Sequence, residues 1–223
     1  MTSIFQRALG DDFARLHPRL RRRFGFASDD GVACVGTGVM DRVWHGRGFT
    51  RPFLWLGAQR HILLPGQGEN IPFTIENYPY RDSLGRETVT FVRTFDLDRP
   101  RRWDATMIYS PERRSVVDYL GTHQHVAVDL DLSVDDRGAL VIRSGEQRFH
   151  EGPLHFRIPG LVTGTAVVRE SYDDEIGRFR IDVEVSNHRF GPLFGYHGTF
   201  TCSYPRGEPV PEAIRPVREQ ARV

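Results

Sequence analysis

Between Ile71 and Tyr204 apolar side chains return at every second position. IPFTIENYPY, RETVTFVRTFDL, RWDATMIYS, SVVDYL, HVAVDLDLSV, ALVIRSGEQRF, LVTGTAVVRESY, RFRIDVEVSN and LFGYHGTFTCSY each alternate or run apolar. Alternation turns one face of an extended chain toward a core and the other toward water. The intervening DSLG, SPERR, DDRG, DDEIG and HRFGP supply turn chemistry. Ahead of this series, GVACVGTGVMDRVWHG is rich in valine and small residues and predicts one further long strand. About ten strands joined by short turns make an antiparallel meander, which escapes exposed edges by curling on itself. The fold expected is mainly β: an antiparallel β-barrel or strongly curled meander sheet, lipocalin-like or helix-grip-like, with two helical segments near its N-terminal end.

Those helical segments follow a different period. Phe5, Leu9, Phe13, Leu16, Leu20 and Phe24 recur at three- and four-residue steps, the apolar stripe of a helix. Gly10 weakens it, Asp11 or Asp12 can cap a fresh start, Pro18 suits a first turn and Gly25 a stop. The arginines at 19, 21, 22 and 23 read as the solvated face of this helix, since no interleaved aromatics support a nucleic-acid patch. Thr50 and Pro52 open a second helix, whose apolar positions run from Phe53 to Leu63 and stop before Pro65-Gly66; over 52–64 it is placed to close one barrel mouth. Residues 1–204 thus predict a single barrel-like domain. Beyond Tyr204, PRGEPVPEAIRPVREQARV carries proline and charge, which predicts a disordered tail over 205–223.

The opening FQRALGDDFARLHPRLRRRFG, the strand VTFVRTF and the closing run ESYDDEIGRFRIDVEVSNHRFGPLFGYHGTF resemble a bacterial family known as domain of unknown function 4166. The resemblance spans nearly the whole chain except its tail and implies a domain of that extent. It carries over no catalytic residues. The longer insert ENYPYRDSLGRE and the paired histidines at 123 and 125 depart from the family's commoner pattern.

Charge removes some classes of partner. Thirty basic residues against 29 acidic ones leave a formal charge of +1, with no global field to recruit nucleic acid or an acidic membrane surface. No apolar run reaches the roughly 18 residues of a bilayer span, and MTSIFQRALGDDF carries acids where a secretory signal needs an apolar stretch. A cytoplasmic location is expected. Cys34 and Cys202 lie in strand-like runs and read as small, buried, free and slow-reacting hydrophobes. Gly36-Thr37-Gly38 lacks the third glycine and the helix of a dinucleotide fingerprint, so these glycines are expected to bend a strand or admit a close neighbour. No cofactor is implied.

Candidate chemistry starts at Arg93, which shares a strand face with Glu87, Val89, Phe91 and Phe95. A guanidinium stays charged, so Arg93 must reach water at the surface, pair with a carboxylate or serve a ligand. An adjacent-strand partner such as Glu170 or Glu184 would make it structural; an empty barrel around it would make it an anion anchor. Phe91, Phe95, Met107, Trp44 and Val168 are the candidate walls. Glu170 and Tyr196, on otherwise apolar faces, are the candidate proton-transfer groups. Tyr78 and Tyr80 fall on the face opposite Ile71, Phe73 and Ile75. His123 and His125 are placed on one strand face, and with His150, His155 and His197 they lack the spacing of a metal site. The leading expectation is a barrel that binds a small hydrophobic or amphipathic molecule with an acidic group. Alternatives are a cofactor-independent isomerase, cyclase or hydrolase using the same pocket, or an accessory domain contacting a partner enzyme.

Overall fold

The computed structural model describes residues 2–46, 66–161 and 163–223. The helix expected over 52–64 lies outside the described residues. Near the N-terminus, helix α1 (Ile4–Leu9) is started by a capping box between Ser3 and Gln6. A 3-10 segment over Gly10–Arg15 follows, so the chain does break at Gly10, though into a tighter turn than an α-helix. Helix α2 (Pro18–Phe24) then starts on its proline and ends at Gly25.

Twelve strands follow among the described residues. They are β1 (Cys34–His45), β2 (Gly68–Asn77), β3 (Pro79–Arg81), β4 (Glu87–Asp96), β5 (Pro100–Ser110) and β6 (Ser115–Leu120), then β7 (Val126–Val134), β8 (Leu140–Glu151), β9 (Leu154–Arg157), β10 (Thr165–Asp173), β11 (Arg178–Asn187) and β12 (Gly191–Ser203). Every pairing is antiparallel, and ten of the strands close a barrel in the order β1-β2-β4-β5-β6-β7-β8-β10-β11-β12 and back to β1. The short β3 hangs on β4 and the short β9 on β8. Strand β8 serves two partners in succession: Leu140 to Arg143 pair with β10, and Arg148 to Glu151 pair with β9. Among the described residues closure leaves no long open edge to protect.

The inward faces and the two helices form one core. Phe73, Phe95, Trp103, Phe194, Tyr196 and Phe200 make a buried aromatic cluster; Phe95 and Tyr196 have centroids 4.9 Å apart, and Trp103 and Phe194 lie 5.4 Å apart edge to face. Each such side chain contributes roughly 1.5 to 3 kcal/mol by leaving water. Leu16, Leu20 and Phe24 plug one barrel end, with Phe5 and Phe24 in contact at 4.8 Å. Glycine is required where β1 crosses β12. A Cβ on Gly38 would sit 2.1 Å from the Thr199 carbonyl oxygen, and one on Gly198 would sit 2.3 Å from that of Val39. The close-neighbour reading of this glycine run therefore holds, and no nucleotide loop is formed.

The C-terminal segment is a correction to the composition-based reading. Instead of trailing free, residues 205–223 lie along the outside of the sheet. Ile214 packs with Ala33, Tyr78 and Val92, while Val223 packs beside Ile108, Val117 and Tyr119. Val217 N–H donates to the Thr122 carbonyl at 2.8 Å, Gln220 N–H to Gln124 Oε1 at 2.6 Å, and Tyr119 Oη to the Arg222 carbonyl at 3.0 Å. A few well-placed apolar residues and satisfied backbone groups outweigh an average composition that predicts disorder. Tyr78 and Tyr80 do face outward, and both are buried.

Candidate functional site

Register decides which side chains enter the barrel. On β4 the inward positions are Glu87, Val89, Phe91, Arg93 and Phe95, as alternation predicts, and Arg93 stands directly across from Ile75 on β2 and Trp103 on β5. Arg93 is only 5 % exposed. Its guanidinium lies 4.0 Å from the Trp103 ring centroid and 5.5 Å from that of Phe91, a cation-π contact on two sides. Among the described residues no carboxylate lies within ion-pair distance of it, and Arg93 Nε is buried without a hydrogen-bond partner.

Among the described residues, Trp103 Nε1 and Asp118 Oδ1 are also buried here without a hydrogen-bond partner, and Tyr196 Oη lies close to the Arg93 guanidinium. Asp118 points inward between Met107 and Val128, its cross-strand neighbours on β5 and β7. Burial pushes its carboxyl up to about 7, only partly countered by attraction to Arg93. Tyr196 is fully buried between Val43 and Val183, 6.1 Å from the Trp103 ring. Burial raises its phenol, with the Arg93 guanidinium opposing. Four strands thus bring a cation, a near-neutral acid, a phenol and an indole N–H to one apolar interior. Buried polar atoms are ordinarily partnered, and such exceptions call for water or a ligand.

Above this group, at the barrel end away from the N-terminal helices, Arg101 pairs with Phe95 in the inward register. A hollow of about 480 Å³, open to solvent, is lined there by Gly66, Gln67, Leu97, Asp98, Arg99 and Arg101. Burial and the neighbouring Arg99 lower the Arg101 guanidinium from its ordinary value. Among the described lining residues two arginines face one carboxylate, Asp98, which partly offsets their charge.

Glu170 does not join Arg93. It faces inward on β10, where its carboxylate receives the guanidinium of Arg23 through Nε and, at 3.5 Å, through Nη2. Arg23 enters from the last turn of α2 with a side chain that is 0 % exposed, overturning its assignment to a solvated face. Its Nη1 donates to Asn77 Oδ1 at 2.8 Å and points at Cys34 Sγ at 3.0 Å, while its plane lies 5.1 Å from the Phe200 ring. The Glu170 carboxylate holds Arg23 firmly charged; burial pushes the Glu170 carboxyl up and Arg23 pulls it back. This is an ion pair joining the helix to the barrel. A narrow cleft between α1, α2 and β4, lined in part by Phe5, Phe24, Glu87 and Phe91, reaches Arg23.

The remaining candidates divide. Phe91, Phe95, Met107 and Val168 face inward, as expected. Trp44 does not. The register of β1 slips between Met40 and Arg42, so Val43 turns inward and Trp44 lies outside over Gly195, where a Cβ would meet its ring at 2.6 Å. Glu184 is exposed on the outer face of β11 and makes no partner for Arg93. His123 and His125 sit in the turn before β7 and not on a strand, their rings stacked at 5.5 Å. His150 and His155 pair across β8 and β9 with Nδ1 atoms 2.9 Å apart; burial, His155 and nearby arginines lower His150 to about 4. Among the described residues no group of three metal-ligating side chains converges.

Alternation alone could find Arg93. Asp118 and Trp103 carried the same signal, an interruption of an apolar inward row, but Arg23 left none, because its helical position gives no such parity.

Two comparisons bear on these residues. A family model described as Domain of unknown function (DUF4166) matches residues 16–200, which takes in α2, Arg93, Asp118, Glu170 and Tyr196. The chain is also 31 % identical, over 201 residues, to the uncharacterized protein YndH of Bacillus subtilis (strain 168), covering 90 % of this chain and 97 % of that one. Among the described residues no helix is long and apolar enough to cross a membrane. On the extent of both matches, this ten-stranded barrel belongs to the DUF4166 family.

Proposed function

We propose that the barrel binds a small amphipathic molecule through an acidic group, with Arg93 as its anchor. The observation that carries this reading is a buried guanidinium with no carboxylate in ion-pair reach among the described residues, set beside the unpartnered Trp103 Nε1 and Asp118 Oδ1. A charge left this way costs more than cation-π contact returns, so a carboxylate or phosphate arriving at Arg93 gains a strong charge-assisted bond. Asp118, raised by burial to about 7, is about half protonated near neutral pH, and in its protonated form it donates to such a group. Phe91, Phe95, Met107 and Val168 supply apolar walls, and the arginines at 99 and 101 favour entry of an anion. Cytoplasmic placement fits a chain with free thiols.

A second reading rests on Asp118. A carboxyl titrating near 7 beside a phenol and a guanidinium is suited to moving a proton on a bound substrate, in the role first given to Glu170. Tyr196 would orient or stabilise the developing oxyanion.

Titrating the protein with decanoate and with methyl decanoate tests the proposal by calorimetry. The acid is expected to bind at least tenfold more tightly than the ester. Equal affinities would remove Arg93 from the site, and no binding of either, together with no small molecule retained in native mass spectrometry of protein from its own host, would end the reading.

A further inference from the structure

We propose that Cys34 and Cys202 form a peroxide-reactive dithiol, with Arg23 holding the attacking sulfur as a thiolate. The two residues lie on the inward faces of neighbouring strands, where Gly36 stands opposite Cys202 and Cys34 occupies the next inward position. One nitrogen serves both: Arg23 Nη1 is 3.0 Å from Cys34 Sγ and 3.7 Å from Cys202 Sγ. A purely structural pair of buried thiols needs no cation, whereas a permanently charged donor aimed at sulfur favours the thiolate, the reactive form. The groups facing the pair are Arg23, Glu170, Tyr204 and Arg22, the last lying 4.0 Å from the Tyr204 ring. The hydrogen bond from Cys202, then Arg23, bring the Cys34 thiol down to about 7, against burial and the Glu170 carboxylate. Cys202, as the donor, is pushed up. Cys34 is buried, but Cys202 is partly exposed, which opens the pair to a molecule as small as hydrogen peroxide.

The chemistry balances with peroxide as the only oxidant. The Cys34 thiolate attacks one peroxide oxygen; the S–O bond forms as the O–O bond breaks, and hydroxide leaves. The Cys202 thiol then gives up its proton and attacks the sulfenic sulfur. The S–S bond forms, the S–O bond breaks, and the oxygen departs as water. Two thiols and one peroxide become one disulfide and two waters. The bond would tie β1 to β12 next to the Arg23–Glu170 pair, so the redox state would be felt at the helix-plugged end of the barrel.

The test uses the reduced full chain, treated with hydrogen peroxide across pH 5 to 9, alkylated, and followed by intact mass and peptide mapping. Expected is loss of both alkylatable thiols, a linked Cys34–Cys202 peptide cleared by dithiothreitol, and a rate whose pH midpoint lies near 7 and not at the roughly 8.5 of an ordinary thiol. Cys202→Ser should leave a sulfenic acid on Cys34 that dimedone traps, and Cys34→Ser should leave Cys202 alkylatable. Thiols that survive peroxide doses oxidising a free cysteine peptide, disulfides only between separate copies, or a rate midpoint near 8.5 would each overturn the proposal. The wild-type measurement stands even if a variant fails to fold.

Discussion

Arg93 stacks on Trp103, its direct cross-strand partner, with 4.0 Å between guanidinium carbon and ring centroid. A desolvated cation-π contact is worth about 2 kcal/mol, well below the cost of an isolated buried charge. Arg93→Met keeps the stem and removes the charge. Its stability in urea is expected to stay within about 2 kcal/mol of wild type, whereas loss of an ion-pair partner costs about 3 to 5 kcal/mol. Decanoate affinity is expected to fall by about 2 kcal/mol, roughly thirtyfold. A large loss of stability with unchanged affinity would make Arg93 structural.

Glu170 is expected to behave in the opposite way. Glu170→Gln leaves the Arg23 charge buried without its counter-ion, and unfolding in urea should show a loss of about 3 to 5 kcal/mol. A variant as stable as wild type but altered in ligand handling would return Glu170 to the site.

Asp118 makes stability depend on pH. Its carboxyl titrates near 7 in the fold and at about 3.9 when unfolded. Between those values the folded chain holds the extra proton, so this group's contribution declines as pH rises through that window, by about 4 kcal/mol in all. Asp118→Asn cannot lose that proton. Relative to wild type it is expected to gain stability between pH 5 and pH 8, measured as the difference in urea unfolding free energy at the two values. An unchanged difference would mean that Asp118 is ionised throughout.

Truncation after Tyr204 uncovers Tyr78, Val92, Ile108 and Tyr119. With Ile214 burying apolar surface worth roughly 1.5 to 3 kcal/mol and the half-buried Val223 adding less, the truncated chain should melt several degrees lower. The intact chain should resist trypsin at Arg218 and Arg222; rapid cleavage there would show that the segment does not stay docked.

Strand positions were legible because alternation is a local property: nine alternating or apolar runs and the valine-rich run before them each became a strand, and the inward face of β4 followed from parity alone. Two failures have local causes as well. The slip after Met40 reversed the parity of Trp44, since one extra residue in a strand exchanges its faces. Leu154–Arg157 is too short for a periodic signal, yet it pairs with β8.

By itself the sequence determined most of the strands, their order along the chain, the helix break at Gly10 and the inward direction of Arg93, because each depends on neighbours only a few residues away. Only the tertiary structure decided which charges meet. Glu170 lies inward as its parity requires, but closure through the β8–β10 pairing and the docking of α2 gave it Arg23, 147 positions earlier in the chain. Arg93 was left with Trp103, Asp118 and Tyr196. Whether Arg23 or Arg93 receives the Glu170 carboxylate is settled by barrel closure and desolvation, and neither leaves a mark on local spacing.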